Sequence, residues 1–298
     1  MQPVNAIEGE IESQPETWRL AAARAQDAGE DLPARGDRLA IIGCGTSLFV
    51  GQALAVLREE AGHGEADAFP ASEMLSARNY DAVLAVSRSG TTTEVLRVLD
   101  RLPAGVTTLA ICAVADTPID RIVGHSVTLE FADEEAIVQT RFPTAVLALM
   151  RAHLAGGTDG VEAVAQAGED SLAAALPANL TEYERFVFLA SGWAVGVANE
   201  AGLKLREAAG AWSESYPAME FRHGPVSATN ASTLVWAIGP VDADVLEAAA
   251  QAGATVLDHG RDPMAELVLV QRAAVALAHA RGVDPDQPRH LSRSVVLS

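Results

Sequence analysis

Short apolar runs alternate with amphipathic stretches along most of this chain. Glu16 to Ala28 spaces Trp18, Leu20 and several alanines as a helix with one face toward a core, and a polar break from Gly29 to Asp37 comes after it. Leu39 to Ile42 then reads as a buried strand, and Ser47 to Glu60 as a helix. The alternation repeats. Ala82 to Val86 is a second strand, succeeded by a helix in which Val95, Leu96, Leu99 and Leu102 share a face. Val106 to Cys112 is a third strand, Ser126 to Phe131 a candidate fourth, and Arg141 to Leu154 a closing helix.

The segment Ala155 to Gly160 has the glycine content of a linker. An alanine-rich helix leads to Leu176, where Pro177 ends it. The strand–helix order then restarts, with strands at Phe186 to Ala190, Leu234 to Ile238 and Thr255 to Leu257 and helices at Val195 to Ala209 and Met264 to Arg281. Apolar strands alternating with helices predict an α/β fold whose parallel sheets are covered on both faces. Two halves of the same order predict two domains, 36–157 and 158–298, behind an N-terminal helical segment at 1–35.

Composition narrows the partners. A net charge of −19 argues against a nucleic-acid surface, which needs local positive charge. It leaves a small anion possible, because backbone amides and hydroxyls bind phosphate without cationic side chains. Only two cysteines are present, Cys44 and Cys112, so a disulfide framework is not implied and a reducing compartment fits. No apolar stretch reaches the length of a membrane span, and the polar start from Met1 to Gln14 does not read as a secretory signal. A cytoplasmic location is the expectation.

Four local constellations carry chemistry. Cys44-Gly45-Thr46-Ser47 and Ser87-Arg88-Ser89-Gly90-Thr91-Thr92 each lie between a strand and a helix. In a parallel sheet both turns fall on the carboxyl edge, where ligands bind. Each supplies hydroxyls and amides at a helix start, and Gly45 and Gly90 allow a close approach of the backbone. Ordinary helix capping is the alternative reading. Neither turn has the lysine of a nucleotide-triphosphate loop.

The third constellation is Asn199 to Glu207, where Glu200, Lys204 and Glu207 share one helix face. Lys204 is the only lysine in the chain, and lysine can exchange a proton where arginine cannot. The alternative is a solvated ladder of ion pairs. The fourth is Glu214 to Pro225, in which His223 precedes Gly-Pro in a turn and suits general acid or base chemistry near neutral pH. A histidine that is merely exposed is the other reading.

Together these motifs resemble the sugar isomerase (SIS) domain family in its two-domain form. The resemblance is to the branch that holds the isomerase half of glucosamine-6-phosphate synthase and the glutaminase-lacking glucosamine-6-phosphate deaminases. Glu10-Ile11 and Gln14-Pro15 are similar to that family's opening, and Asp286 to Val295 to its C-terminal tail. The resemblance implies two SIS domains, each a parallel sheet flanked by helices. It implies that Ser47, Ser87, Ser89 and Thr92 hold phosphate within loops that include Cys44, Gly45, Thr46 and Arg88. Glu207 would move a proton between the first two sugar carbons, with Lys204 on the same helix face. His223 would assist ring opening from a partner subunit, which implies a homodimer. No metal or organic cofactor is expected, and a small phosphosugar is the expected partner.

Two departures bear on the reaction. The usual glutamine of the second loop is Arg88, and the tail lysine that forms a Schiff base is Arg293, a poor nucleophile that could still hold the substrate. No glutaminase motif accompanies the chain, so no built-in ammonia source is expected. The expected function is therefore an aldose–ketose phosphosugar isomerase or an amino-sugar-phosphate deaminase. A deglycase of phosphorylated sugar–amine adducts needs the same loops and base. A non-catalytic phosphosugar sensor is disfavoured, because the first 35 residues are too short and acidic for a DNA-binding domain.

Overall fold

The computed structural model describes residues 5–74 and 78–297. Its helices are α1 (Ala6–Glu12), α2 (Gln14–Asp27), α3 (Thr46–Glu60), α4 (Thr93–Leu99), α5 (Arg141–Ala155), α6 (Asp159–Ala173), α7 (Ala194–Ala209), α8 (Ala243–Gln251) and α9 (Pro263–Ala280). Its strands are β1 (Leu39–Gly43), β2 (Ala66–Pro70), β3 (Ala82–Val86), β4 (Thr107–Cys112), β5 (His125–Thr128), β6 (Arg185–Ala190), β7 (Ser213–Pro217), β8 (Thr233–Ala237) and β9 (Thr255–Leu257). All of the strand pairings among the described residues are parallel. The fold is the α/β class expected, with helices packed on parallel sheets.

The first sheet has the order β2-β1-β3-β4-β5 and the second β7-β6-β8-β9. In each, the chain lays down a central strand, adds one neighbour on one side, and crosses back to build the other side. The strands the sequence predicts are the buried ones. β1 and β3 are buried at every position, as near-continuous apolar runs should be when both faces are covered. The sequence reading misses β2 and β7. Both are edge strands, with the sequences ADAFP and SESYP, each interrupted by at least one acidic residue and closed by proline, and they are mostly half-buried. An edge strand needs no continuous apolar run, so it leaves no periodic signal. The candidate fourth strand proves shorter, His125–Thr128, because Glu130–Ala132 turns into a 3-10 helix.

On the first sheet, Ala40, Ile42, Val83, Ala85 and Ala110 form one core with Val95 and Leu99 of α4. Ile41 points to the opposite face and meets α3 at Gly51. On the second sheet, Val187, Leu189 and Val235 pack with Val245 and Ala249 of α8, while Phe188 lies under α7 at Gly202.

The chain divides into two compact units that are not contiguous in sequence. One comprises residues 16–135, 139–163 and 292–298; the other comprises 1–15, 136–138 and 164–291. This division differs from the expected boundaries at 35/36 and 157/158. The stretch read as a linker is a tight turn instead: α5 ends at Ala155, Gly156 takes the left-handed conformation (φ 68°), and α6 starts at Asp159. The start of the chain is fastened within its own unit, where the amides of Ala6 and Ile7 donate to Asp286 at 2.8 and 3.0 Å. Gln14 there donates to buried Gln271 at 2.6 Å.

Candidate active site

The two Ser/Thr-rich turns lie side by side. β1 and β3 are neighbours, and the sheet order reverses between them, because β1 leads outward to β2 and β3 to β4. The loops 44–47 and 87–92 leave the carboxyl ends of these two strands. This is the crevice at which open α/β sheets bind ligands.

Each loop is shaped for close approach. Gly45 stands before α3 with φ 55° and ψ −124°, a conformation that a side chain would strain. Gly90 has φ 62°, and a Cβ there would lie 2.1 Å from Thr117 Oγ1. Ser47 and Ser87 are both buried. The Ser87 hydroxyl makes no hydrogen bond among the described residues, which is unusual for a buried polar atom and fits a group reserved for a ligand. Thr92 precedes α4 in an extended conformation, and its hydroxyl makes no capping bond to the described residues. The capping alternative for this loop therefore loses its main support. α4 has only seven residues, whereas α3 has fifteen, so hydroxyls and amides, more than a long helix dipole, equip the second loop. The Cys44 side chain packs on the core, and burial and Glu94 push its thiol up, away from thiolate chemistry.

Arg88 does not extend from its loop toward a ligand. It is 2% exposed, pairs with Glu134 at 3.4 Å, and donates to the carbonyl of Arg293 at 3.2 Å. Burial pulls its pKa down, and Glu134 acts against that. Glu134 also accepts from the Thr140 hydroxyl at 3.0 Å and from the Arg141 amide at 2.8 Å. Arg293 is likewise engaged, with its guanidinium on Asp133 and on the Glu134 carbonyl. Both arginines expected at the binding site are thus engaged with partners in their own unit. The acidic partners, Asp133 and Glu134, escape the sequence reading because Asp-Glu-Glu looks like a solvated charge run.

The helix face on α7 is not a solvated ladder. Lys204 is 1% exposed and Glu200 2%. The Lys204 ammonium lies 3.1 Å from Glu200 and 2.6 Å from Glu207. Burial pulls its pKa down, but the two carboxylates outweigh that and hold it above the ordinary lysine value. Lys204 is therefore an ammonium at neutral pH and a poor candidate for an imine. Glu207 is half-buried and opens onto a pocket of 320 Å³ lined also by Arg206, Arg281 and Arg289.

His223 closes the 3-10 helix Ala218–His223 and is exposed, as its place before Gly-Pro suggests. Among the described residues, no group of three or more His, Cys, Asp or Glu side chains is placed to hold a metal ion, and no helix is long and apolar enough to cross a membrane.

Residues 34–155 match the family model of the SIS domain. The chain is 29% identical over 325 aligned positions to the glutamine–fructose-6-phosphate aminotransferase (isomerizing) of Gloeobacter violaceus, with 90% of this chain and 53% of that protein covered. The enzyme of the same description from Thermotoga maritima is 23% identical, with the same coverage. The chain spans about half the length of these relatives. Among solved structures, a glucosamine-6-phosphate deaminase from Thermotoga maritima superposes with a TM-score of 0.84 at 25% identity, covering 98% of this chain and all of that one. A tagatose-6-phosphate ketose/aldose isomerase from Escherichia coli shares the fold, with a TM-score of 0.77 at 19% identity, covering 100% of this chain and 99% of that one. The chain thus matches the SIS domain model at residues 34–155 and is similar to the glutamine–fructose-6-phosphate aminotransferases over about half of their length.

Proposed function

We propose that this chain is an enzyme that binds a hexose or hexosamine phosphate and moves a proton between the first two sugar carbons. The product is an isomerised sugar phosphate or, from an amino sugar and a water molecule that hydrolyses its C–N bond, the ketose phosphate and ammonia. The observation that carries this reading is the placement of two hydroxyl-bearing loops at the switch point between β1 and β3, with the Ser87 hydroxyl buried there and without a hydrogen bond among the described residues. The similarity to an amino-sugar-phosphate deaminase across nearly the whole chain supports it.

In this reading Ser47, Ser87, Ser89 and Thr92 donate hydrogen bonds to the phosphate oxygens, as amides and hydroxyls can in an acidic protein. Glu207 takes a proton from one sugar carbon and returns it to the next, while Lys204 fixes its carboxylate by a 2.6 Å hydrogen bond. Lys204 acts as a positioning residue. His223 serves ring opening in a homodimer, donated to the site of the second copy. No lysine imine is part of the mechanism, because the tail offers Arg293 and Lys204 is held as an ammonium.

The test is turnover of glucosamine 6-phosphate and fructose 6-phosphate by the purified chain. Ammonia release or aldose–ketose interconversion is expected. Tight binding of both without turnover would make the chain a sensor instead.

A further inference from the structure

A second cleft, of 670 Å³, is lined by residues between 71 and 106 of the same compact unit, and none of the residues assigned to phosphate lines it. Its volume falls within the range of roughly 300–1,000 Å³ in which proteins hold small organic ligands. The floor is apolar. Met74, Val98, Leu102 and Val106 pack on the core of the first sheet yet remain half-buried, so part of each faces the cleft. Apolar surface left in water is surface that an apolar occupant can bury favourably.

The polar groups come from one face of α4 and the turn beyond it. Glu94, Arg97, Val98 and Arg101 follow the i, i+3, i+4, i+7 spacing that sets side chains beside one another, and all four line the cleft. Arg97 and Arg101 are exposed, and neither guanidinium forms an ion pair or reaches a carbonyl among the described residues. They therefore do not cap the helix, a common task of a cation in a last turn. Arg78, also at the cleft, is already taken by Asp67 at 3.0 Å. The cleft thus presents two uncommitted cations in a chain of net charge −19. Glu94 presents the complement. Its Oε2 is buried and accepts no hydrogen bond from the described residues, whereas buried oxygens are normally satisfied.

We propose that this cleft is a second ligand site, which takes an amphipathic organic anion bearing an N–H donor. The acidic group pairs with Arg97 and Arg101, the apolar body lies on Met74, Val98, Leu102 and Val106, and the N–H donates to Glu94 Oε2. Along the helix, Glu94 precedes Arg97 by a rise of about 4.5 Å and Arg101 comes a further turn on, so donor and acid belong at opposite ends of the ligand. A sugar phosphate has no apolar body for this floor. The site stands independently of the phosphate reading, and neither falls with the other.

The experiment is calorimetric titration of the full chain with indole-3-butyrate, which joins an indole N–H and an apolar ring to a carboxylate on a flexible arm. Naphthalene-1-butyrate lacks the N–H, and indole-3-butanol lacks the charge. Indole-3-butyrate should bind about ten-fold tighter than either, the factor that one hydrogen bond to a charged group represents. Arg97→Glu/Arg101→Glu should weaken the acid about ten-fold or more and leave the alcohol unchanged. Glu94→Leu should erase the preference for indole over naphthalene. Saturating glucosamine 6-phosphate should not displace the acid. An acid that binds no tighter than the alcohol, binding indifferent to the charge reversal, or no binding of any of the three probes would overturn the proposal. Displacement by glucosamine 6-phosphate would overturn it too, because the acid would then occupy the phosphate loops. Where the double reversal fails to fold, the three probes compared on the native chain decide.

Discussion

Lys204 donates a 2.6 Å hydrogen bond to Glu207 from a position that is itself 1% exposed. A buried ammonium with its carboxylate partners cannot be dissected like a surface pair. Removing one member leaves the other uncompensated, at about 3–5 kcal/mol. Lys204→Met should therefore destabilise the chain by roughly that amount, because Glu200 stays buried. Urea unfolding is the measurement, and a change below about 1 kcal/mol would place the pair among surface bridges.

The same ammonium makes stability depend on alkaline pH. Burial lowers the Lys204 pKa and the carboxylates of Glu200 and Glu207 raise it further than burial lowers it, so the folded value lies above the unfolded one. A raised pKa contributes stability that is complete below the unfolded value, about 10.4, and is lost as pH rises through the folded value. Unfolding free energy measured from about pH 9 upward should fall above about pH 10, and this component should vanish in Lys204→Met.

Glu207→Gln keeps the side-chain shape and an acceptor for Lys204 but removes the base. Turnover should fall by about 10² or more, with phosphosugar affinity changed far less. Single-turnover kinetics separates the two. Near-normal turnover would mean that the face serves structure only.

Arg88 and Gly90 separate bracing from binding in one loop. Arg88→Met leaves Glu134 in a buried site without its cation, and should lower stability by about 3–5 kcal/mol. Gly90→Ala forces a Cβ to within 2.1 Å of Thr117 Oγ1 at a positive φ, so the loop must move. It should lose phosphosugar binding more than it loses stability. Thermal unfolding and calorimetry on the same two variants would show the contrast.

The sheet centres and the loops were legible in the sequence for one reason: buried parallel strands are short apolar runs, and the turn that leaves each strand at the carboxyl edge can be read directly from them. β1, β3, β6 and β8 announce themselves in this way, and with them the position of Ser47 and of Ser87 to Thr92. β2 and β7 do not, because a half-buried edge tolerates ADAFP and SESYP. At the site, local spacing brought Lys204 and Glu207 together, since helix geometry alone decides that contact. Spacing offered no view of Arg88, whose inward course depends on Glu134, 46 residues away. Nor did it place Ser294 on Ser89, a contact across 205 residues. The tail motif was visible as a resemblance, but its seat on the loop is a property of the folded chain.

The phosphate loops are tested most directly by comparing glucosamine 6-phosphate with glucosamine in calorimetric titrations of the native chain and of the double variant Ser89→Ala/Thr92→Ala. The phosphorylated sugar should bind and the neutral one should not, and the double variant should lose about 1.5–3 kcal/mol for each hydrogen bond removed from the charged group. Equal affinity for the two sugars, or an unchanged affinity in the double variant, would contradict the assignment of these loops to phosphate.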